Sequence, residues 1–364
     1  MMYINIFDYE QLARKGLNSK IADYISAGAC NELTLQRNVD AFSQCYIIPR
    51  VLNDVSQINT KTTLINQNLN LPLMIAPTAF HRIVHPDGEL AVVRAAASKN
   101  INMIVSTMST TSLEEIALNA NSHLWFQLYI YKDREIVIDL IHRAEQAGYN
   151  ALVITVDVPI MGKREKDIRN QFTLPPNLSA KNLEPYGIGQ TNIRTRGSKI
   201  KNYTDLLFDK AVSWHDIAWI KTITKLPIIL KGIMHREDAK HALDMQIDAL
   251  VISNHGGRQF DGAPSAMDVV HEIAETINKK IPILIDGGFR RGTDILKALA
   301  LGADCVLIGR PILWGLACAG QKGVENVLEI YRNEVIEAMA LSGCATIEEV
   351  KKLDVIKLEN NKNA

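Results

Sequence analysis

Eight times between residues 71 and 309 a short apolar run is followed by a turn and then by an amphipathic stretch. The runs are LPLMIAP (71–77), NMIVST (102–107), HLWFQLY (123–129), ALVITVD (151–157), PIILK (227–231), ALVISN (249–254), PILID (282–286) and CVLIG (305–309). Apolar throughout rather than alternating, they have the pattern of parallel strands buried on both faces. Helices are predicted between them over 88–99, 112–120, 133–147, 235–245, 266–277 and 292–301. Asp133 is placed to cap one of these, and Gly148 to end it. Such alternation implies an α/β fold with a parallel sheet, and eight units close into a (β/α)8 TIM barrel. By strand count alone a doubly wound open sheet is the alternative. The polar residues at the strand ends favour the barrel.

Two segments stand outside the repeat. Residues 1–65 read as an N-terminal helical extension that ends in an irregular stretch, with the barrel over 66–350. Residues 158–212 separate the fourth and fifth strands by far more than the usual connection of about 2–6 residues. The polar centre of that segment, 177–205, is expected to be a lid loop over the site.

Composition narrows the partners. Lys plus Arg and Asp plus Glu number 40 each, which argues against nucleic acid or an anionic membrane. No apolar run reaches the ~18 residues that a membrane span requires. The acidic N-terminal MMYINIFDYEQ does not resemble a leader, and the final NKNA is not a peroxisomal address. Cys30, Cys45, Cys305, Cys318 and Cys344 lack metal-site spacing and read as buried thiols of a reducing compartment. A cytoplasmic protein without a metal is expected.

The strand ends carry the chemistry. In order they present Pro77, Thr78 and Ala79; Ser106; Gln127 and Tyr129; Thr155 and Asp157; Lys231; Ser253, His255 and Arg258; Asp286, Gly287, Gly288, Phe289 and Arg290; and Gly309 and Arg310. Each alone has an ordinary structural use, since Ser, Thr and Asp cap helices and Gly serves turns. Their coincidence at eight strand ends marks a site at the carboxyl end of the barrel, where barrel enzymes keep their chemistry. In SNHGGRQ (253–259) an imidazole and a guanidinium share one tight loop. Imidazole is the usual general base near neutral pH, and guanidinium grips carboxylates in two-pronged fashion. The other eight histidines have no such company and read as surface or core residues. The glycine-rich turns in ILIDGGFRRGTD (283–294) and VLIGRP (306–311) lead into helices and are expected to offer backbone N–H groups to a phosphate. No G-x-G-x-x-G turn follows an early strand, and no Walker loop, H-E-x-x-H or paired C-x-x-C occurs. FMN, which needs one phosphate site and ring contacts, is the cofactor that remains.

SNHGGRQ, DGGFRRGTDILKALALGA, TVDVPIMGKRE and FQLYIYKDR together resemble the FMN-dependent 2-hydroxy acid oxidase and dehydrogenase family, which includes glycolate and lactate oxidases. The resemblance runs from about Tyr9 to about residue 350 and treats 1–364 as one domain. It implies FMN contacts from Pro77, Thr78 and Ala79 beside the ring and from Ser106, Gln127 and Thr155 at its polar edge. Lys231 would sit near N1, Ser253 at the ribityl side, and Asp286, Gly287, Gly288, Phe289, Arg290, Gly309 and Arg310 at the ribityl and phosphate. For the substrate it implies that Arg164 and Arg258 clamp the carboxylate with help from Tyr24. Tyr129 would bond the 2-oxygen, His255 would take a proton, and Asp157 would orient His255. Without the resemblance, Tyr24 reads as one face of an ordinary amphipathic helix.

One departure bears on substrate. Glycolate oxidases carry tryptophan two residues after the counterpart of Ser106, whereas this chain has Met108. Met161 and Phe80 are further candidates for the apolar wall. The resemblance thus implies oxidation of a lactate-like or short-chain (S)-2-hydroxy acid, with O2 as acceptor and H2O2 as product, by a homotetramer. A pathway-specific dehydrogenase with another acceptor or a bulkier substrate remains open. A phosphate-ligand binding barrel without turnover is disfavoured, because a binding module needs no base.

Overall fold

A computed structural model describes residues 3–190 and 199–358. Its centre is a closed barrel of eight parallel strands: β1 (Leu73–Ile75), β2 (Met103–Ser106), β3 (Leu124–Leu128), β4 (Leu152–Thr155), β5 (Ile228–Ile233), β6 (Ala249–Ile252), β7 (Ile283–Asp286) and β8 (Cys305–Ile308). All eight apolar runs become these strands, and an open sheet is excluded because β8 pairs with β1. Alternate side chains divide as the two-residue period requires. Met74, Ile104, Trp125, Val153, Ile229, Val251, Leu284 and Leu307 fill the interior, while their neighbours such as Leu73, Ile75 and Val105 face the helices.

The helices that follow the strands are α1 (Gly88–Lys99), α2 (Leu113–Leu118), α3 (Arg134–Gln146), α4 (Trp214–Ile223), α5 (Arg236–Asp244), α6 (Ala266–Ile277), α7 (Gly292–Ala300) and α8 (Arg310–Ser342). Asp133 caps α3 by accepting from the Glu135 N–H, and Gly148 follows its end with φ +82°. Pro311 suits the first turn of α8, where no N–H partner is needed. The helix breaks at Ala319 and Gly320, where the His85 ring packs so closely that a Cβ on Gly320 would lie 2.8 Å from Nε2.

The first 65 residues contain more than helices. After Ile6–Gly16, Ser19–Ser26 and Leu33–Asp40, the strand Cys45–Ile47 pairs antiparallel with Val355–Lys357, and a hairpin joins Thr62–Leu64 to Gln67–Leu69. The hairpin closes the amino end of the barrel. Leu64 and Leu69 join the interior cluster, and Gln67 Oε1 accepts from Trp125 Nε1 at 3.2 Å. The helix Leu33–Asp40 instead packs at the carboxyl end, where Asn38 and Asn254 exchange side-chain amide hydrogen bonds of 2.9 and 2.7 Å. A Cβ on Gly288 would lie 1.9 Å from the Asn38 carbonyl, so this contact requires glycine.

The cysteines correct one expectation. Cys45, Cys305 and Cys344 are buried, but Cys30 is exposed on a turn and Cys318 is half-buried. Among the described residues no helix is long and apolar enough to cross a membrane, and no cluster of His, Cys, Asp or Glu is arranged to hold a metal ion.

Candidate active site

Parallel register aligns the polar strand ends. Ser106 pairs with Gln127, and Thr155 with Lys231, so residues where apolar runs stop become neighbours around the barrel mouth. They open into a cleft at the barrel mouth, lined by residues from all eight strand ends. Of the sequence-predicted site residues, all line it except Asp157 and Ser253. Those two lie one layer back. Ser253 is fully buried and accepts from Lys231 Nζ at 2.8 Å and from the His255 N–H at 3.0 Å. Asp157 Oδ1 lies 2.9 Å from His255 Nδ1.

The His255 loop is held in an unusual shape. His255 has φ +58°, followed by Gly256 at +64° and Gly257 at +72°. Non-glycine residues avoid this region, so the histidine conformation depends on its surroundings. A Cβ on Gly257 would lie 2.6 Å from the Leu35 backbone, which requires glycine in the following turn. Burial lowers the His255 pKa from its ordinary value, Asp157 opposes the shift, and Lys231 adds to it. A neutral imidazole with its Nδ1 side facing a carboxylate leaves Nε2 as the proton acceptor. Burial would raise Asp157, but the cationic surroundings outweigh it and hold the carboxyl below its ordinary value.

A cationic arc lines the rest of the cleft. Lys231 Nζ is 3.2 Å from Asp286 Oδ2; burial disfavours its charge, but Asp286 and Asp157 carry its pKa above the ordinary value. Arg258 donates to the Tyr24 and Ala27 carbonyls at 2.8 and 3.0 Å and lies 5.1 Å over the Tyr24 ring. Arg164 is buried, and burial with Arg258 nearby pushes its pKa down to about 10, still charged at neutral pH. Arg310 donates to Ile25 O, Gly256 O and Ala27 O at 2.9, 3.0 and 3.1 Å. Burial pushes its pKa down, and Arg258 and Arg290 add to the shift. Arg290 packs 4.7 Å over the Trp314 ring. Tyr129 stacks on Phe208 at 4.5 Å, and burial raises its pKa, so it stays a phenol and a donor.

The polar edge is a chain of hydrogen bonds. Ser106 Oγ donates to Gln127 Oε1 at 3.2 Å, and Gln127 Nε2 donates to Thr155 Oγ1 at 3.0 Å. After the neighbouring strand β1, Thr78 Oγ1 lies 2.6 Å from Nε2 of the buried His81. The turn after β7 gives less to an anion than its sequence suggests. The Arg290 and Arg291 N–H groups are both taken by the Asp294 carboxylate at 2.9 Å. An anion therefore falls to the α8 start and the arginine side chains.

These residues fit FMN. Three buried polar atoms around the cleft, Asp157 Oδ2, Asp286 Oδ1 and Arg164 Nε, have no hydrogen-bond partner among the described residues. A native interior seldom leaves such atoms unsatisfied, so they mark places where a ligand completes the bonding. Asp286 Oδ1 suits a polyol hydroxyl, Arg310 and the α8 N-terminus suit a phosphate, and the Ser106–Gln127–Thr155 chain with Lys231 suits a polar heterocycle edge.

Sequence reasoning missed Val158, Thr204, Phe208 and Leu313, which also line the cleft. Thr204 and Phe208 lie in the long insertion, where no periodicity marks them. Of the expected lid, 177–205, the stretch 191–198 lies outside the described residues. The part before it includes the turn Lys181–Tyr186, in which Asn182 is fully buried and donates to Thr107 O and Ser109 Oγ at 3.1 and 2.9 Å.

A closed β/α barrel whose mouth gathers a carboxylate-paired histidine, a lysine and several arginines is the framework of a flavin-dependent 2-hydroxy acid oxidoreductase. Residues 13–357 match the FMN-dependent dehydrogenase family, and the chain belongs to that family. The chain is 44% identical over 360 residues to a peroxisomal (S)-2-hydroxyacid oxidase of Arabidopsis thaliana, covering 99% of this chain and 98% of that protein. It is 46% identical over 358 residues to an L-lactate oxidase of Nostoc sp., covering 95% and 96% respectively. A crystal structure of mandelate oxidase with (S)-4-hydroxymandelic acid superposes with a TM-score of 0.93 at 40% identity, covering 97% of this chain and 99% of that one. The protein is an FMN-dependent enzyme that oxidises 2-hydroxy acids.

Proposed function

We propose that the substrate is an (S)-2-hydroxy acid larger than glycolate, lactate-like or short-chain, and that O2 is the acceptor and H2O2 the product. The observation that carries this is the His255–Asp157 pair at 2.9 Å in a cleft that also holds Arg164, Arg258 and Tyr129. Arg164 and Arg258 bind the carboxylate, and the Tyr24 hydroxyl adds a hydrogen bond. Tyr129 donates to the 2-oxygen as it gains carbonyl character. His255 Nε2 takes the proton, and Asp157 stabilises the imidazolium that results. FMN, when bound, would supply the two-electron acceptor. The Lys231 cation would stabilise the negative charge it gains, and the Ser106–Gln127–Thr155 chain would hold its polar edge.

Met108 and Met161, both buried and both facing the cleft, form an adaptable apolar wall for the α-substituent. The segment 177–205 is proposed to cover bound substrate. Its later part places Thr204 at the cleft wall, with Phe208 just beyond. We also infer a cytoplasmic homotetramer. Tyr46 and Ile356, half-exposed and opposite one another in register, support an apolar face for assembly. A bulkier, aryl-bearing substrate is a second reading, favoured by the likeness to mandelate oxidase.

The test is a survey of kcat/KM with glycolate, L-lactate, L-2-hydroxybutyrate, 2-hydroxyoctanoate and (S)-mandelate, with H2O2 measured alongside. L-Lactate or L-2-hydroxybutyrate is expected to lead with stoichiometric peroxide. A lead by mandelate establishes the second reading, and turnover without peroxide refutes O2 as acceptor.

A further inference from the structure

Beside the cleft lies a second cavity of about 290 Å³, between the ends of β4 and β5 and the start of α4. Val156, Val212, Trp214, Ile217, Leu230 and Ile233 form the apolar part of its wall away from the cleft. It shares Tyr129, Thr155, Val158 and Phe208 with the cleft, so one layer of side chains separates the two spaces. Its other end reaches the surface at the exposed Ser213 and Asp238.

The two spaces differ in charge. Lys231, Arg164, Arg258, Arg290 and Arg310 line the cleft. Among the described residues no lysine, arginine or histidine lines the second cavity; its charged groups are Asp209, which is tied to Arg134 at 2.6 Å, and Asp238. A hydroxy acid anion and its keto acid product are drawn to the cationic cleft and find no counter-charge in the second cavity. A small neutral molecule needs no counter-charge, and the side chains of Val156, Val212, Trp214, Ile217, Leu230 and Ile233 offer it a surface that demands no hydrogen bonds. The partition selects by size as well. Side-chain fluctuations on the ps–ns scale let a diatomic molecule through a single layer, whereas an alkyl or aryl substituent has to displace the stacked Tyr129 and Phe208 rings.

We propose that this cavity is the route by which molecular oxygen reaches the cleft, apart from the path of the acid. The inference rests on O2 being the acceptor. The hydroxy acid gives up two electrons and two protons in becoming the keto acid, and O2 takes both pairs to become H2O2, which is neutral and can leave the same way. The inner end of the route is formed by Thr155 and Tyr129, themselves proposed to meet the flavin edge and the 2-oxygen.

The test narrows the cavity at positions that line it but not the cleft, with Val212→Trp and Ile233→Phe made separately so that one failure to fold does not end it. Flavin reduction by L-lactate under nitrogen is expected to match the wild type in both variants, as is reoxidation by ferricyanide. Reoxidation by O2 is expected to slow about tenfold, equivalent to about 1.4 kcal/mol of added barrier. Crystals under xenon pressure should show xenon in the cavity of the wild type and not of Val212→Trp. O2 reoxidation at the wild-type rate in both folded variants overturns the proposal. So does slowed reduction by 2-hydroxyoctanoate, which would make the cavity a side-chain annex. A wild type that stays reduced in air refutes O2 as acceptor, and the route falls with it. A wild type that reoxidises while neither variant slows refutes the route alone.

Discussion

Asp157 and His255, separated by 98 positions in sequence, meet at 2.9 Å through Oδ1 and Nδ1 because β4 and β6 both end at the barrel mouth. The carboxylate fixes which imidazole nitrogen faces the cleft. It also opposes, without cancelling, the lowering of the His255 pKa by burial. The imidazole is therefore neutral at neutral pH. kcat/KM should rise with pH along an acid limb whose midpoint lies below the ordinary 6.5 of histidine, then level off. Asp157→Asn removes the main raising influence, so the limb should move to lower pH while the plateau falls by about 10²-fold or more. A pH profile of kcat/KM for the two proteins checks both parts, and a limb that moves upward contradicts the assignment.

Met108 sets a prediction about substrate. It is buried and faces the cleft where an α-substituent would lie. Each CH2 that gains burial adds about 0.8 kcal/mol, roughly fourfold in kcat/KM. Met108→Trp should lower the ratio of L-lactate to glycolate kcat/KM by at least that factor. An unchanged ratio means that another residue sets the pocket size.

Arg310 carries two roles at once. It faces the proposed phosphate position and also donates three hydrogen bonds to Ile25, Ala27 and Gly256, tying the N-terminal extension to the barrel. Arg310→Ala takes this donor from the Ile25 and Gly256 carbonyls, at about 1–3 kcal/mol for each group left unsatisfied, while Ala27 O keeps Arg258. Both the Tm of the flavin-free protein and the affinity for FMN should fall. Arg310→Lys should keep more of the FMN affinity than of the Tm, since it retains the charge and loses the fork. Flavin titration and thermal melts of the apoprotein separate the two roles. An unchanged apoprotein Tm in Arg310→Ala removes the structural one.

The segment 177–205 should respond to ligand. Oxalate, which offers a carboxylate to Arg164 and Arg258, is expected to slow backbone amide exchange around Tyr203 and Thr204 in the holoprotein. Asn182, already anchored to Thr107 and Ser109, should change little. Equal exchange with and without oxalate throughout the segment contradicts a covering role.

The barrel was legible because its information is local. Each strand carries its own apolar run, so eight independent signals agree. The gathering of Ser106, Gln127, Thr155, Lys231 and Asp286 followed from one rule, that parallel strands end together. What escaped was non-local or without pattern. Cys45–Ile47 pairs with Val355–Lys357 across nearly the whole chain, and no local feature announces that. The hairpin at Thr62–Leu69 left a weak trace, since Ile65 and Asn66 both take positive φ as a tight turn requires, but Ile-Asn is a poorer turn signal than Asn-Gly. Phe208 enters the cleft from an insertion with no period to read. The exposure of Cys30 reflects a surface turn that thiol chemistry does not predict.

The central claim is that His255 takes the proton as a 2-hydroxy acid is oxidised in this cleft. The most direct measurement is the anaerobic rate at which L-lactate bleaches the bound flavin in wild type and in His255→Gln. The account predicts rapid bleaching of the wild type, and a variant that holds its FMN with a native flavin spectrum but bleaches about 10² to 10⁴ times more slowly. A variant that binds FMN normally and bleaches at the wild-type rate would place the base elsewhere and contradict it.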